Sequence, residues 1–215
     1  YTNGETLVLA SGEDTNLAIA GKARIHSGQA IGMLGGAIKP GTEAAGTKWN
    51  CVRDNVTGLV WEVKRNDATH LRHMGHGYAW YNPDATSNGG FVGYQIPLYD
   101  SQGAAVTGPT CSGVTDVAKC NTQSYVTAVN AVGLCGKKDW RLPTVDELRN
   151  LAHTGRTNPA IDTNYFPNTA ADMVWSSLPY AAISDRAWVV NFYDGYAFAD
   201  QMSIAAFVRL VRTGQ

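Results

Sequence analysis

Charge is scarce in this chain. Asp, Glu, Lys and Arg make up 16% of its 215 residues, against roughly a quarter in an average soluble domain. The signs nearly cancel: 17 basic and 18 acidic side chains leave a formal net charge of −1. No excess of either sign points to nucleic acid or an anionic membrane as partner. Long apolar runs are missing too. No stretch approaches the ~18 residues of a membrane-crossing helix, and no basic-then-apolar leader is present. The expectation is therefore no membrane span, with any export signal removed or outside this chain. Cys-x-x-Cys spacing is absent, which removes the commonest zinc framework. The first 46 residues contain no aromatic after Tyr1 and no proline before Pro40.

Apolar, aromatic and glycine residues fill the chain instead. It is 44% hydrophobic, with 23 glycines, 10 tyrosines, 6 tryptophans and 5 phenylalanines. A chain of this length can bury a sizeable core, and the mixture favours strands, turns and irregular loops over long helices. Residues 1–46 consist of short apolar pieces: Leu7-Val8-Leu9, Leu17-Ala18-Ile19, Ala23-Arg24-Ile25 and Ile31-Gly32-Met33. Small polar or glycine turns separate them. Strands this short need stacked or intertwined partners to bury anything. Pro40-Gly41-Thr42-Glu43-Ala44-Ala45-Gly46 reads as a linker. The organisation expected is a β-rich stalk and linker over 1–46, then one α+β domain over 47–215.

Within that domain the local signals are explicit. In Trp140-Arg141-Leu142-Pro143-Thr144-Val145-Asp146-Glu147-Leu148, Thr144 as N-cap and Glu147 three residues on form a capping box. The spacing of Val145, Leu148, Leu151 and Ala152 predicts a helix over 145–152 with one face on a core. A second helix is predicted over 123–132, capped by Asn121 or Thr122 and stopped at Gly133, with Tyr125, Val126, Val129 and Val132 on one face. Residues 59–64 and 207–212 read as strands. Trp188, Val190 and Phe192 alternate with Val189, Asn191 and Tyr193, as a strand does. Asp194-Gly195 then signals a type I′ turn into Tyr196-Ala197-Phe198. Arg209 and Arg212 are expected to pair with carboxylates at the core edge.

Four cysteines permit three pairings. A Cys111–Cys120 bridge would staple the polar loop between them, and Cys51 would then pair with Cys135 across the domain. Two disulfides place the chain in an oxidising compartment; four buried thiols in a reducing one are the alternative.

The segments Asp54-Asn55-Val56-Thr57-Gly58-Leu59-Val60-Trp61-Glu62, Tyr78-Ala79-Trp80-Tyr81-Asn82-Pro83 and Trp140-Arg141-Leu142-Pro143-Thr144 follow one another in order. After them come Pro159-Ala160-Ile161-Asp162, Tyr165-Phe166-Pro167, Val174-Trp175-Ser176-Ser177 and Val208-Arg209-Leu210-Val211-Arg212. Together they resemble a bacterial surface-domain family typified by the C-terminal domain of the Legionella collagen-like adhesin, from about Trp49 to the end. The resemblance implies a C-type lectin-like domain that displays a binding surface, without catalysis, outside the cytoplasm. Formylglycine-generating enzymes share a similar Arg-Leu-Pro-Thr helix start, so an enzyme relative is a weaker alternative. The stretch 5–38 is similar to the β-prism needle of VgrG and phage tail spikes. That likeness implies a homotrimer through the stalk and, as a rival reading, a structural spike or filament subunit.

Candidate ligand-binding residues lie between Ala181 and Ala206. Trp175, Tyr180, Trp188, Phe192 and Gly195 are anchors, and between them stand Ser184, Asp185, Arg186, Asn191, Tyr193, Asp194, Tyr196 and Asp200. This pattern is similar to the variable regions of proteins rewritten by diversity-generating retroelements. Tyrosine with Asp, Asn and Ser gives rigid contact area and adaptable hydrogen bonds, suited to a cell-surface glycan or protein. The alternative puts Tyr196 and Phe198 in the core of an ordinary hairpin. No cofactor is expected, although Asp84, Asn88 and Asp100 are loop residues of the kind that ligate calcium. His70, His73 and His76 stand three apart, a spacing that suits neither a strand nor, with Gly75 and Gly77 beside them, a helix. Ser176-Ser177 lacks the glycine elbow of a serine hydrolase.

Overall fold

The computed structural model describes residues 50–114 and 116–214, with the backbone of 22–26 and 29–30. The expected stalk otherwise lies outside the described residues. The strands in chain order are β1 (Lys22–His26), β2 (Gln29–Ala30), β3 (Cys51–Asp54), β4 (Leu59–Glu62), β5 (Met173–Pro179), β6 (Arg186–Asn191), β7 (Ala197–Gln201) and β8 (Val211–Thr213). Helices α1 (Thr122–Val132) and α2 (Val145–Leu151) fall between β4 and β5. One antiparallel sheet runs β2-β1-β3-β4-β8 and the other β5-β6-β7. The class is α+β, as composition and motifs imply.

The C-terminal segment ties the two sheets together. Phe207 hydrogen-bonds beside β5, donating to the Met173 carbonyl and accepting from Trp175. Leu210 and Glu62 then exchange backbone and side-chain bonds, and β8 closes on β4 with Trp61 opposite Val211. The strand expected over 207–212 is thus a crossing segment. Only its end joins the first sheet's ladder, because its residues serve two sheets in turn.

The middle of the second sheet is buried on both faces. Trp175, Ala187 and Val189 enter a core with Trp80, Tyr78, Tyr125, Val129 and Trp140. Val174, Val190 and Phe192 enter another with Trp61, Leu148, Ile161 and Phe166. Burying four indoles requires partners for their N–H groups, and three are paired with carbonyls: Trp80 to Ser176 at 3.0 Å, Trp140 to Leu134 at 2.9 Å and Trp175 to Tyr78 at 2.7 Å.

Both helices begin as predicted. The Asn121 side chain accepts from the Ser124 amide, and Gly133 ends α1 in the left-handed conformation at φ 69°. Tyr125, Ala128 and Val129 form the buried face, whereas Val132 is 71% exposed. Tyr125 and Val129 lie on the buried face as expected, and Val132, in the last turn, does not. At α2 the capping box is complete: Thr144 accepts from the Glu147 amide, and Glu147 accepts from that of Thr144. Glu147 also takes both guanidinium nitrogens of Arg141 at 2.8 and 2.7 Å. Both disulfides form in the expected pairing, Cys51–Cys135 and Cys111–Cys120.

Candidate binding surface

The β6–β7 hairpin carries six of the eight candidate residues, Ser184 and Asp185 lying on the turn that leads into β6, and the hairpin loop is not the expected two-residue turn. Asn191 donates to the Tyr196 carbonyl and Gly195 to the Asn191 carbonyl. Four residues, Phe192 to Gly195, therefore make the connection. Side chains set it: Asn191 Oδ1 accepts from the Tyr193 amide at 2.9 Å and Asp194 Oδ1 from the Tyr196 amide at 3.0 Å. Gly195, at φ 85°, supplies the left-handed residue such a loop needs. A type I′ turn would require Asp194 at positive φ as well, and it is not. The loop is anchored from below, where Phe192 is fully buried and Asn158 and Ala160 donate to the carbonyls of Tyr193 and Phe192.

Tyr193 and Tyr196 project from this platform at 52% and 74% exposure. The alternative that buried Tyr196 is overturned; Phe198 stands partly out as well, at 36%. Ser184 lies on an exposed turn at the other end of β6, beside Asp185 and Arg186. Arg186 donates to the Ala199 carbonyl at 3.3 Å. Asp200 pairs across from Ala187, so it belongs with the Ser184 end and not with the tyrosines. The six residues of β6 run from Arg186 in one group to Asn191 in the other, about 17 Å in an extended strand. The candidate residues thus form two clusters joined by the open edge of β7.

A neighbouring loop runs beside the segment that follows β7, with Leu98 and Tyr99 bonded to Ser203 and Ala205. The Ser101 hydroxyl donates to Asp172 at 2.9 Å, and the Asp172 carbonyl accepts from the Phe192 amide. Tyr99 bridges Ile204. Leu98 and Tyr99, 42% and 41% exposed, were not singled out from the sequence. The apolar run Ile96-Pro97-Leu98-Tyr99 between polar loops was the available signal.

The most perturbed ionisable groups lie elsewhere, in a buried network around Glu62. Glu62 (0% exposed) sits 3.1 Å from the Lys64 ammonium and also accepts from the Tyr125 hydroxyl and the Leu210 amide. Lys64 donates to the same hydroxyl at 2.7 Å. Arg209 donates to the Glu62 carbonyl at 2.6 Å and to Thr169 at 2.7 Å, and buried Arg72 donates to the Val63 carbonyl and the Asn50 side chain. Burial alone would raise the Glu62 carboxyl, but Lys64 and Arg72 with the two hydrogen bonds hold it below its ordinary value. Burial pushes Lys64 down to about 8 and Arg209 to about 10, and raises Tyr125 well above the usual phenol range. A perturbed cluster in an open cleft would suggest chemistry. This one is closed off in the core, where it joins β4 to the C-terminal segment.

The Lcl C-terminal domain family matches residues 50–212, which takes in β3 to β7, both helices, the start of β8 and the whole β6–β7 hairpin, and leaves out β1 and β2. The chain belongs to that family. No curated protein matches it. Lcl C-terminal domains are adhesin-type surface domains and not an enzyme family.

The remaining candidates of this Lcl C-terminal domain serve local structure. His70 Nδ1 accepts from the Arg72 amide and His73 Nδ1 from that of Gly75. The His76 ring contacts the Ala68 and Leu71 carbonyls and the Ser112 hydroxyl. Burial, with Arg72 and Arg65 nearby, lowers His70 to about 4. Asp84 accepts from Thr86 and Ser87, Asn88 from Gly90, and Asp100 from Gln102 and Ala104. Among the described residues no three His, Cys, Asp or Glu side chains gather as a metal site, and no helix is long and apolar enough to cross a membrane. A cavity of about 370 Å³ beneath Ile96, Pro97, Val106 and Pro109 is lined without a titratable side chain. Arg149, His153 and Asp162 border a second, of about 280 Å³.

Proposed function

We propose that this domain is a non-enzymatic binding head, C-type lectin-like in fold, that holds a cell-surface glycan or protein at the β6–β7 hairpin. The observation that carries the reading is the pair Tyr193 and Tyr196, exposed on a loop whose backbone is fixed by buried Phe192 and by the side chains of Asn191 and Asp194. Large aromatic surface held rigidly in water costs little further ordering on binding and dominates interface energetics. Paired cysteines throughout the chain and membership of an adhesin-type family favour an extracellular or surface location. They also weigh against the formylglycine-type alternative, which uses reactive thiols.

The test compares the intact chain with Tyr193→Ala and Tyr196→Ala on glycan arrays, protein arrays and whole cells. A loss of at least ~10-fold in affinity with an unchanged melting temperature supports the reading. Unchanged binding by both variants refutes it. A spike or filament subunit would bury the same tyrosines between copies, and would show as higher-order assembly that the tyrosine variants break. The trimer proposed for residues 1–46 rests on the likeness of 5–38 to the β-prism needle of spike proteins. It is tested by the solution mass of the intact chain and of one beginning at Thr47, a trimer falling to a monomer being the expected result.

A further inference from the structure

We propose that β7 is an acceptor edge: an extended, basic segment of a protein partner adds to it as a further strand. This inference rests on the binding-head reading and narrows its ligand to a polypeptide. The hydrogen-bond register carries it. Asn191 is bonded to Tyr196, and Met202 donates to the Asp185 carbonyl; the pairs between them are Val189 with Phe198 and Ala187 with Asp200. Bonding in an antiparallel ladder alternates, so Phe198 and Asp200 point their backbone groups at β6, while Ala197, Ala199 and Gln201 point theirs outward. Among the described residues β7 pairs with β6 alone. At its far end the outward groups are occupied: Arg186 takes the Ala199 carbonyl, Asp200 takes the Gln201 amide at 2.7 Å, and Ile204 takes the Gln201 carbonyl. Among the described residues the Ala197 N–H, the Ala197 carbonyl and the Ala199 N–H have no partner. Three such groups in sequence are what an added strand uses, and exposed edges of this kind are normally blocked.

The side chains define the occupant. Tyr196 and Phe198 share one face of β7 and stand out from it; Ala197 and Ala199 give the other face little bulk. Asp194 and Asp200 stand at the two ends of β7 and Asp185 on the turn before β6; the basic residue of this hairpin, Arg186, has its guanidinium engaged by the Ala199 carbonyl. A segment with lysine or arginine at alternate positions would meet carboxylates at both ends and the Tyr196 ring between them, a favourable place for a cation. A second copy of the chain fits worse. In the antiparallel register that uses both free groups of Ala197, the Asp194 of one copy would face the Asp200 of the other, and directly opposed like charges destabilise a sheet. An extended peptide also accounts for the spacing of the two candidate clusters, since a strand along β7 reaches both.

The experiment uses the full chain on an array of short immobilised peptides of basic, neutral and acidic composition. Strand-forming basic peptides should be captured in preference. Ala199→Pro removes an outward N–H without touching the β6 ladder and should cost at least ~10-fold in capture, whereas Ala199→Val should not. Methylating alternate amides of a captured peptide should cost as much, which keeps the test valid if Ala199→Pro lowers the melting temperature. Capture of no peptide, preference for acidic ones, or indifference to both Ala199→Pro and amide methylation overturns the proposal. Dimerisation through β7, seen as a mass that Ala199→Pro halves, overturns it in favour of the second copy. If Tyr196→Ala abolishes surface binding while Ala199→Pro preserves it, the binding head stands and strand addition falls. If neither variant has binding to lose, the binding head itself fails.

Discussion

Replacing Glu62 by Gln tests whether the buried network holds the fold together. The carboxylate is fully buried, 3.1 Å from Lys64, and takes the Tyr125 hydroxyl on one oxygen and the Leu210 amide on the other. At an effective dielectric near 20, a charge pair at that distance is worth about 5 kcal/mol before desolvation is counted. Glutamine removes the charge that faces Lys64, Arg72 and Arg209. It also turns an NH2 donor toward either the Tyr125 hydroxyl or the Leu210 amide. Breaking one side of a buried pair costs about 3–5 kcal/mol, a large part of the 5–15 kcal/mol that stabilises a typical domain. The expected fall in melting temperature is on the order of 10 °C, read by calorimetry or denaturant unfolding. The deficit should shrink at alkaline pH, because Lys64 without its partner gives up its proton below the value of about 8 it has beside Glu62. A Glu62→Gln chain within about 1 kcal/mol of the parent from pH 6 to 9 would refute the reasoning.

Lys64 itself should tilt the pH profile. Its folded value is lowered from 10.5 to about 8, so between those limits the unfolded chain binds more protons and stability rises with pH, by roughly 3 kcal/mol if the whole shift is expressed. Equilibrium unfolding at stepped pH should show this rise in the parent and not in Lys64→Met. The Cys51–Cys135 bridge closes a separation of 84 residues and Cys111–Cys120 one of 9. Loop-closure entropy then gives losses of about 4–5 and about 3 kcal/mol for the paired Cys→Ala variants, and denaturant midpoints should fall in that order. Thr144→Ala should cost about 1 kcal/mol in the same assay, because Arg141 still holds Glu147 through two bonds.

Legibility followed range. The capping box of α2, the Asn121 and Gly133 ends of α1 and the nine-residue disulfide loop are local, and each could be read off neighbouring letters. Cys51–Cys135 followed once the other pair was assigned. The hairpin was legible as two strands but not as a loop. Asp194-Gly195 is the commonest short-turn signal, yet the Asn191 and Asp194 side chains capture amides two residues on and spread the connection over four residues. Val132 was misplaced because an apolar residue at helical spacing carries no mark of whether anything lies opposite it. The Glu62 network was least visible: Glu62 and Arg209 are 147 residues apart and look individually like solvent-facing charges. Only the crossing of 207–211 between the two sheets brings them together.

That division between a fixed interior and an open rim leads to a last prediction, on tolerance to change. Ser184, Tyr193 and Tyr196 are exposed, and the backbones of the two tyrosines take part in the hydrogen bonding that shapes the hairpin. Substitution at all three should shift stability by about 0.5 kcal/mol or less per site. Asn191→Ala should cost about 1 kcal/mol by leaving the Tyr193 amide without its acceptor. Phe192→Ala, in a fully buried position, should cost about 3–5 kcal/mol. A library randomised at Ser184, Tyr193 and Tyr196 and sorted for protease resistance should therefore keep most of its members, while one randomised at Phe192 should keep few. Equal attrition in the two libraries would mean that the tyrosines support the fold. Their exposure would then no longer argue for a binding surface, because a surface can be reshaped for new ligands only where its side chains are not already needed to hold the chain in place.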